Sequence, residues 1–241
     1  MKKAEKFKFG ALIVAGGSSR RFGAKNKLLE KIRGVPVFIR SMQPFIELCF
    51  GGIILVVSRE TDLKFAKIAK EYFPGLSIRY VEGGDTRSES VRNGLHAFSE
   101  DEIDFVAIHD AARPLLDTVT VRSAFDFAAA NGSAVFSSKI TDTVKFLERP
   151  DSGVISRTVD RDHLWAARTP QIFKFSEIWK TYHSMGAKLK SFTDDAAVME
   201  ASGFEVRVFP SPLSNIKITH PQDILIAEAL LEQIQKKSSV D

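Results

Sequence analysis

Short apolar runs rich in β-branched residues alternate along this chain with stretches of helical periodicity. The clearest runs cover residues 11–14, 53–57, 77–81, 104–109 and 133–136. Between the third and fourth runs, Val91, Leu95 and Phe98 fall on one face of a helix. Alternation of this kind predicts an α/β domain, with a mostly parallel sheet and helices on both of its faces.

Length and composition allow such a domain and argue against several other classes of protein. The chain has 241 residues, of which 44% are hydrophobic, so we expect a single domain over residues 1–241. We find no signal peptide and no apolar run long enough to cross a bilayer, which predicts a cytoplasmic protein that does not bind membranes. A formal net charge of +4 is too small to indicate nucleic-acid binding, but it suits a site for anionic phosphates.

A polar segment at about residues 139–159 interrupts the alternation. Turn-forming residues at 149–153 separate two short extended runs, at 143–147 and 154–159. This pattern predicts a β-hairpin that protrudes from the domain as a β-arm. An arm of this kind either docks on another subunit or lies free on the surface, and the pattern favours neither.

A loop of small and basic residues follows the first predicted strand. The small residues are Ala15, Gly16, Gly17, Ser18 and Ser19, and the basic ones are Arg20, Arg21, Lys25 and Lys27. Small residues let the backbone approach a triphosphate and point its N–H groups at the phosphate oxygens. The loop matches neither the Walker A nor the dinucleotide fingerprint, and we interpret it as a different phosphate-binding loop. The pattern leaves open whether Arg20 or Arg21, and Lys25 or Lys27, faces the triphosphate.

The third predicted strand leads through Gly83 and Gly84 into a helix. Asp85 is placed to cap this helix, which would give it a purely structural role. In the functional interpretation, the N-terminus of the helix faces a ligand. Arg87 and Ser90 would then contact its base or phosphates.

The fourth predicted strand ends in His109 and Asp110, followed by Ala111, Ala112 and Arg113. A carboxylate at the end of a buried strand is costly unless it is paired or faces a ligand. Ligands of parallel sheets bind beyond the carboxyl ends of the strands. We therefore favour Asp110 as a residue that positions Mg²⁺, directly or through water, over a local ion pair with Arg113. His109 is expected to be packed and hydrogen-bonded rather than catalytic.

Together these blocks resemble the 2-C-methyl-D-erythritol 4-phosphate cytidylyltransferases of non-mevalonate isoprenoid biosynthesis. The resemblance runs from Leu12 to about Ala229, with further blocks at residues 142–145, 158–165, 169–173, 193–196 and 215–219. It implies a Rossmann-like nucleotidyltransferase fold and a homodimer joined through the β-arms. The implied reaction transfers CMP from CTP to 2-C-methyl-D-erythritol 4-phosphate, giving 4-diphosphocytidyl-2-C-methyl-D-erythritol and pyrophosphate.

The resemblance also implies roles for individual residues. The catalytic cations would be Arg21, Lys27, Arg161 and Lys217. We expect CTP to contact Ala15, Gly16, Gly17, Ser18, Ser19, Gly84, Asp85, Arg87, Ser90, Asp110 and Ala111. The acceptor would contact Arg113, Thr143, Arg161, Thr169, Thr193 and Lys217, with Arg113 and Thr143 reaching the partner subunit's site. Mg²⁺ would be bound mainly through the phosphates of CTP.

Two alternatives to the erythritol enzyme stay open. A ribitol 5-phosphate cytidylyltransferase shares the fold and CTP, although the block at residues 158–165 favours the erythritol acceptor. A non-catalytic nucleotide-binding regulator would be expected to lose the four catalytic cations, yet all four are present.

Overall fold

The computed structural model of the protein describes residues 7–17, 22–23, 25–49 and 51–238, and this part of the chain contains eleven strands and seven α-helices. The strands are β1 (Phe9–Val14), β2 (Lys31–Ile32), β3 (Val35–Pro36), β4 (Ile53–Val57), β5 (Ile78–Glu82), β6 (Phe105–Asp110), β7 (Ser133–Lys139), β8 (Lys145–Phe146), β9 (Arg157–Thr158), β10 (Trp165–Lys174) and β11 (Val208–Pro210). The helices are α1 (Val37–Ile46), α2 (Asp62–Tyr72), α3 (Arg87–Leu95), α4 (Thr118–Asn131), α5 (Phe175–Met185), α6 (Asp195–Ala201) and α7 (Gln222–Ser238).

Seven strands form the main sheet, in the order β11-β7-β10-β6-β1-β4-β5. Strands β6, β1, β4 and β5 are parallel neighbours, and β11 is parallel to β7. Strand β10 lies antiparallel between β6 and β7. The prediction of a mostly parallel sheet is therefore confirmed, and the five predicted strands correspond to β1, β4, β5, β6 and β7.

Helices cover both faces of this sheet, as predicted. Successive residues of β1 point to opposite faces, so that Ala11 and Ile13 pack in one cluster with Phe125 of α4. Leu12 packs in the other cluster, with Val91 of α3. Because both faces are buried, β1 and β4 are apolar throughout and lack the alternation of a half-exposed strand.

Strand β10 is the one long strand of the sheet that the sequence pattern did not reveal. Its register with β7 is interrupted between Ala167 and Gln171 by a bulge that contains Arg168, Thr169 and Pro170. The Thr169–Pro170 peptide bond is cis. A charged residue and a proline in mid-strand break the apolar run by which a buried strand is identified.

A short hairpin lies within the segment predicted as a β-arm. Strands β8 and β9 pair antiparallel, with Lys145 opposite Thr158 and Phe146 opposite Arg157. Three of its apolar side chains are exposed, namely Phe146, Val154 and Ile155. The hairpin thus presents apolar surface that the described part of the chain does not cover.

Candidate active site

A cavity of about 620 Å³ opens beyond the carboxyl ends of β1, β5 and β6, where the parallel topology predicts a ligand. Most of its walls come from the loops that follow these three strands. Two further segments, around residues 27–28 and 217–219, complete it. The lining residues are Val14, Gly16, Gly17, Lys27, Leu28, Gly84, Asp85, Thr86, Arg87, Ser90, Asp110, Ala112, Lys217 and Thr219.

The glycine backbone after β1 forms an open wall of the cavity. A Cβ atom at Gly17 would meet no atom of the described residues within 4 Å, and one at Gly16 would meet none closer than 3.8 Å. Packing among the described residues therefore does not require glycine here. The missing side chains instead leave space for a ligand to lie against the backbone. Ser18, Ser19, Arg20 and Arg21 lie outside the described residues, so their predicted contacts stay predictions.

Lys27 is the lysine of the loop that lines the cavity. Its Nζ donates a hydrogen bond of 2.9 Å to the carbonyl oxygen of Ile218. Lys25 is exposed and does not line the cavity. Of the two lysines that the sequence left open, the geometry favours Lys27.

Helix α3 begins with a capping box rather than with the predicted Asp85 cap. The Thr86 hydroxyl accepts a hydrogen bond of 3.2 Å from the Glu89 N–H, and the Glu89 carboxylate accepts one of 3.0 Å from the Thr86 N–H. The prediction that Asp85 caps the helix is wrong, because the next residue does so. Asp85 is exposed at the cavity wall and has no capping role that would compete with a ligand.

The glycine pair before α3 is required by close packing. A Cβ atom on Gly84 would lie 2.5 Å from the Cβ of Glu89, which is too close for any other residue. The Ser90 hydroxyl accepts a 3.0 Å hydrogen bond from the Gly84 N–H and donates one of 2.9 Å to the Thr86 carbonyl oxygen. Ser90 thus fixes the loop at the cavity wall.

Asp110, at the end of β6, is ion-paired from two sides. Its Oδ1 accepts a hydrogen bond from Arg87 Nε at 3.1 Å, and its Oδ2 accepts one from Lys217 Nζ at 2.6 Å. The ion pairs found among the described residues do not include the alternative Asp110–Arg113 pair. Burial alone would raise the pKa of Asp110, but Arg87 and Lys217 hold it well below its usual range.

A second buried carboxylate holds the other side of Arg87. Asp195 is fully buried and accepts two hydrogen bonds from the guanidinium group, at 3.1 and 2.9 Å. The Tyr182 hydroxyl donates to the same carboxylate at 2.5 Å. Burial would lower the pKa of Arg87, but Asp195 and Asp110 raise it well above its ordinary value. Lys217, Asp110, Arg87 and Asp195 therefore form a chain of alternating charges.

His109 is packed beneath the site, as predicted, and takes no part in the cavity wall. Its Nε2 lies 3.1 Å from the carbonyl oxygen of Arg113, and its Nδ1 lies 3.2 Å from the hydroxyl of Thr169. A carbonyl oxygen only accepts, so Nε2 carries the proton and Nδ1 accepts from the hydroxyl. The Thr169 hydroxyl in turn accepts from the Asp110 N–H at 3.0 Å. Burial lowers the pKa of His109 to about 4, which keeps the ring neutral at pH 7.

The predicted acceptor residues are only partly gathered within one chain. Lys217 and Thr169 both contact Asp110. Thr143, Arg161 and Thr193 are exposed and do not line the cavity, and Arg161 donates to the Thr141 carbonyl oxygen near the hairpin. Arg113 Nη1 donates to the Asn215 carbonyl oxygen.

Sequence reasoning named two alanines that the structure buries and missed several residues that line or support the cavity. Ala15 and Ala111 are buried outside the lining, whereas Ala112 belongs to it. Of the missed residues, Thr86 directly follows Asp85, which was predicted, and Asp195 lies in the block at 193–196 that carries the resemblance. Their positions in the sequence therefore gave some indication of a role in the site. Nothing in the sequence pointed to Tyr182, because helix α5 contains no recognisable motif and shows only amphipathic spacing.

The described residues do not by themselves form a cluster of ligands for a metal ion. No group of three or more His, Cys, Asp or Glu side chains among them is arranged to hold a metal ion. Asp110 lies in the cavity, but each of its carboxylate oxygens already accepts from a cation. A third positive charge bound directly to it would be repelled by Arg87 and Lys217. A contact of Asp110 with Mg²⁺, directly or through water, stays a prediction.

Comparison with known proteins assigns the chain and its fold to one family. The model of the 2-C-methyl-D-erythritol 4-phosphate cytidylyltransferase family matches residues 9–233. An enzyme of that name from Dehalococcoides mccartyi is 38% identical over 94% of this chain and 97% of its own length. Another from Bacillus licheniformis is 34% identical over 96% of this chain and 99% of its own length.

Solved structures give the same result. The crystal structure of 4-diphosphocytidyl-2C-methyl-D-erythritol synthase from Anaerococcus prevotii has a TM-score of 0.80, at 28% identity over 94% of this chain and 99% of the other. The described helices include none that is long and apolar enough to span a membrane. This chain belongs to the 2-C-methyl-D-erythritol 4-phosphate cytidylyltransferase family, whose members are nucleotidyltransferases.

Proposed function

We propose that this chain transfers CMP from CTP to 2-C-methyl-D-erythritol 4-phosphate in the non-mevalonate isoprenoid pathway. The products are 4-diphosphocytidyl-2-C-methyl-D-erythritol and pyrophosphate. The observation that carries the proposal is one cavity that is lined by Lys27, by Lys217 and by an open glycine backbone. Such a cavity suits two highly anionic substrates, and it lies in a chain of the cytidylyltransferase family.

CTP binds along the loops after β1 and β5. Its triphosphate lies against Gly16 and Gly17, with Lys27 at the cavity wall and Arg21 as the predicted second cation. Asp85 and Ser90 contact the ribose and base from the N-terminus of α3. Mg²⁺ would be held mainly by the phosphates of CTP and would offset their negative charge.

The acceptor's phosphate binds near Lys217 and Arg161, supported by Thr169 and Thr193 and by Arg113 and Thr143 of the partner subunit. One of its oxygens attacks the α-phosphorus of CTP, and the bond from that phosphorus to the bridging oxygen of pyrophosphate breaks. The phosphate is already an anion near neutral pH, so the step needs no general base. Catalysis rests on positioning and on charge stabilisation by the cations.

The β-hairpin suits the homodimer in this proposal. Phe146, Val154 and Ile155 expose apolar side chains, with Val154 at 69%. A partner hairpin would cover them. We expect Val154→Asp to shift the protein toward monomers in sedimentation at micromolar concentration, whereas the exposed α4 variant Asp126→Asn should not. An unchanged dimer in Val154→Asp would exclude this surface. We expect the reaction to take place in the cytoplasm.

The test is pyrophosphate release by the purified protein with CTP and Mg²⁺. Release that requires 2-C-methyl-D-erythritol 4-phosphate supports the proposal. Release only with ribitol 5-phosphate would assign the chain to a different acceptor. CTP binding without release in the presence of either acceptor would indicate a regulator.

Lys27→Ala tests the loop assignment. Loss of a cation that stabilises the transition state should lower kcat roughly 10²–10³-fold. The exposed Lys31 on β2 provides a matched control, because Lys31→Ala removes the same charge four residues away. Equal activity of the two variants would contradict the role given to Lys27.

A further inference from the structure

Two arginines converge on one backbone oxygen next to the site. Arg113 Nη1 and Arg168 Nη1 each donate a hydrogen bond of 2.9 Å to the carbonyl oxygen of Asn215. The two nitrogen atoms therefore lie within twice that distance of each other. Arg168 Nη1 also lies 3.3 and 3.4 Å from the carbonyl oxygens of Pro212 and Leu213.

No carboxylate forms a salt bridge with either arginine of this pair among the described residues. The salt bridges found there within 4.0 Å include neither arginine. Arg113 Nε is buried without a hydrogen-bond partner in the described part of the chain. All the hydrogen bonds that Arg168 makes there use Nη1, which leaves the donors on Nε and Nη2 for another group.

Both arginines are charged at neutral pH. Burial lowers the pKa of Arg113 to about 10; the negative charge of Asp110 opposes this shift, and the positive charge of Arg168 adds to it. Burial likewise lowers the pKa of Arg168. Two positive charges that share a neutral oxygen repel each other, and an anion between their unused donors would remove that repulsion.

The pair lies next to the Asp110–Lys217 end of the cavity. Arg168 immediately precedes Thr169, whose hydroxyl accepts from the Asp110 N–H. Asn215 donates from Nδ2 to the Thr169 carbonyl oxygen at 3.0 Å and lies two residues before Lys217. The bulge in β10 turns Arg168 out of the strand register at this point.

We propose that Arg168 is a further residue that binds the acceptor's phosphate, acting with Arg113 as a two-arginine clamp. This inference rests on the proposed function. Paired planar guanidinium groups recognise a phosphate through several charge-assisted hydrogen bonds. Because Arg113 and Arg168 share a contact atom, they act on the same acceptor molecule, the one bound in the partner subunit's site that Arg113 reaches in the proposed homodimer. The clamp would discriminate phosphorylated acceptors from neutral polyols.

A purely structural role for Arg168 predicts different results. Its three carbonyl contacts would then anchor residues 212–215, and hydrogen-bond donors without charge would suffice. Glutamine can donate N–H groups to those carbonyl oxygens but carries no charge, whereas lysine keeps the charge and loses the planar fork. Arg168→Gln and Arg168→Lys therefore separate anchoring from phosphate binding.

The experiment measures steady-state pyrophosphate release with 2-C-methyl-D-erythritol 4-phosphate and with CTP varied in turn. We expect Arg168→Gln to raise the KM for the acceptor about 10- to 100-fold, with the KM for CTP changed less than about twofold. Arg168→Lys should recover part of the loss. Inorganic phosphate, as a competitor of the acceptor, should inhibit Arg168→Gln more weakly than the wild type. Arg122→Ala, which removes an exposed arginine of α4, provides the control.

The outcomes separate this inference from the function on which it rests. Normal turnover by the wild type with an unchanged acceptor KM in Arg168→Gln would overturn the clamp alone. Wild-type kinetics in Arg168→Gln and a raised KM only in Arg168→Ala would assign Arg168 to anchoring and also overturn it. No turnover by the wild type with this acceptor would overturn the proposed function and the clamp together.

Discussion

The arginines on the two sides of Asp110 have different hydrogen-bond partners, which are charged on one side and neutral on the other. On one side, Arg87 lies between two carboxylates, Asp110 and the fully buried Asp195. On the other, Arg113 and Arg168 donate to a backbone carbonyl oxygen and form no salt bridge within the described residues. A cation held between two carboxylates has little charge left for a ligand, whereas a cation held by a neutral oxygen keeps its charge. The comparison suggests that Arg87 supports the site and that the other two arginines bind an anion.

Stability and substrate binding should therefore respond separately to mutation. Removal of one partner from a buried ion pair leaves an uncompensated charge and destabilises strongly. Removal of an arginine that has no carboxylate partner leaves only neutral oxygens, which water can solvate. Four measurements of the free energy of unfolding test whether the two sides differ in this way.

The largest effect is expected from Asp195→Asn. The substitution keeps the shape of the side chain but removes the charge that offsets Arg87, so we expect the free energy of unfolding to fall by about 3–5 kcal/mol. Urea denaturation at pH 7.5 measures it, and the exposed Asp126→Asn on α4 controls for the loss of a charge alone. A loss below about 1 kcal/mol would mean that the ion pairs of Arg87 contribute no more to stability than the contacts of Arg113 on the other side of Asp110.

The pH dependence of stability tests the residue that joins the two sides. His109 contacts the Arg113 carbonyl oxygen and the Thr169 hydroxyl, and burial lowers its pKa from 6.5 to about 4. Between these two values the unfolded chain binds a proton that the folded protein does not. Stability should therefore fall as the pH falls from 6.5 to 4, by about 3 kcal/mol for this residue, with no further loss from it below pH 4.

The variant His109→Gln isolates that contribution from the titration of carboxylates. It should be less stable than the wild type at pH 7.5, but its stability should fall less steeply between pH 6.5 and 4. His163→Gln, at an exposed position, should keep the wild-type slope. Parallel slopes for His109→Gln and the wild type would show that His109 ionises freely in the folded protein.

The fold was predictable where burial makes the sequence simple. Strands β1, β4 and β6 are apolar because both faces of the sheet are covered, and the runs at residues 11–14, 53–57 and 104–109 identified them. Strand β10 was not identified, because Arg168 and Pro170 interrupt its pattern at the bulge. Its antiparallel position between β6 and β7 depends on packing that no local pattern encodes.

Site residues near the end of a strand could be predicted, whereas contacts between residues far apart in the sequence could not. Gly16 and Gly84 lie just beyond strand ends and Asp110 is the last residue of β6, so the topology was enough to propose them. The Arg87–Asp195 pair joins residues that are 108 positions apart. In the sequence, Asp195 resembles any acidic residue at the start of an exposed helix, and only the folded structure shows that it is buried.

A smaller effect is expected from Tyr182→Phe. The substitution removes the hydrogen bond to Asp195 but leaves both bonds from Arg87, so the free energy of unfolding should fall by about 1.5 kcal/mol. Chemical denaturation measures it, and Tyr72→Phe, which loses a longer and exposed hydrogen bond of 3.3 Å, is the matched control. If Tyr182→Phe is no less stable than that control, Tyr182 does not support the carboxylate.

The smallest effect is expected from Arg168→Gln, although this variant should have the larger effect on acceptor binding. Arg168 is partly buried, contacts only carbonyl oxygens through hydrogen bonds, and leaves no buried carboxylate unpaired when it is replaced. We therefore expect the free energy of unfolding to change by less than about 0.5 kcal/mol, measured in urea beside Asp195→Asn. A loss of about 2 kcal/mol or more would place Arg168 with Arg87 as a structural cation, and the contrast between the two sides of Asp110 would fail. A small loss together with a raised acceptor KM would show that a cation without a carboxylate partner is kept for the substrate.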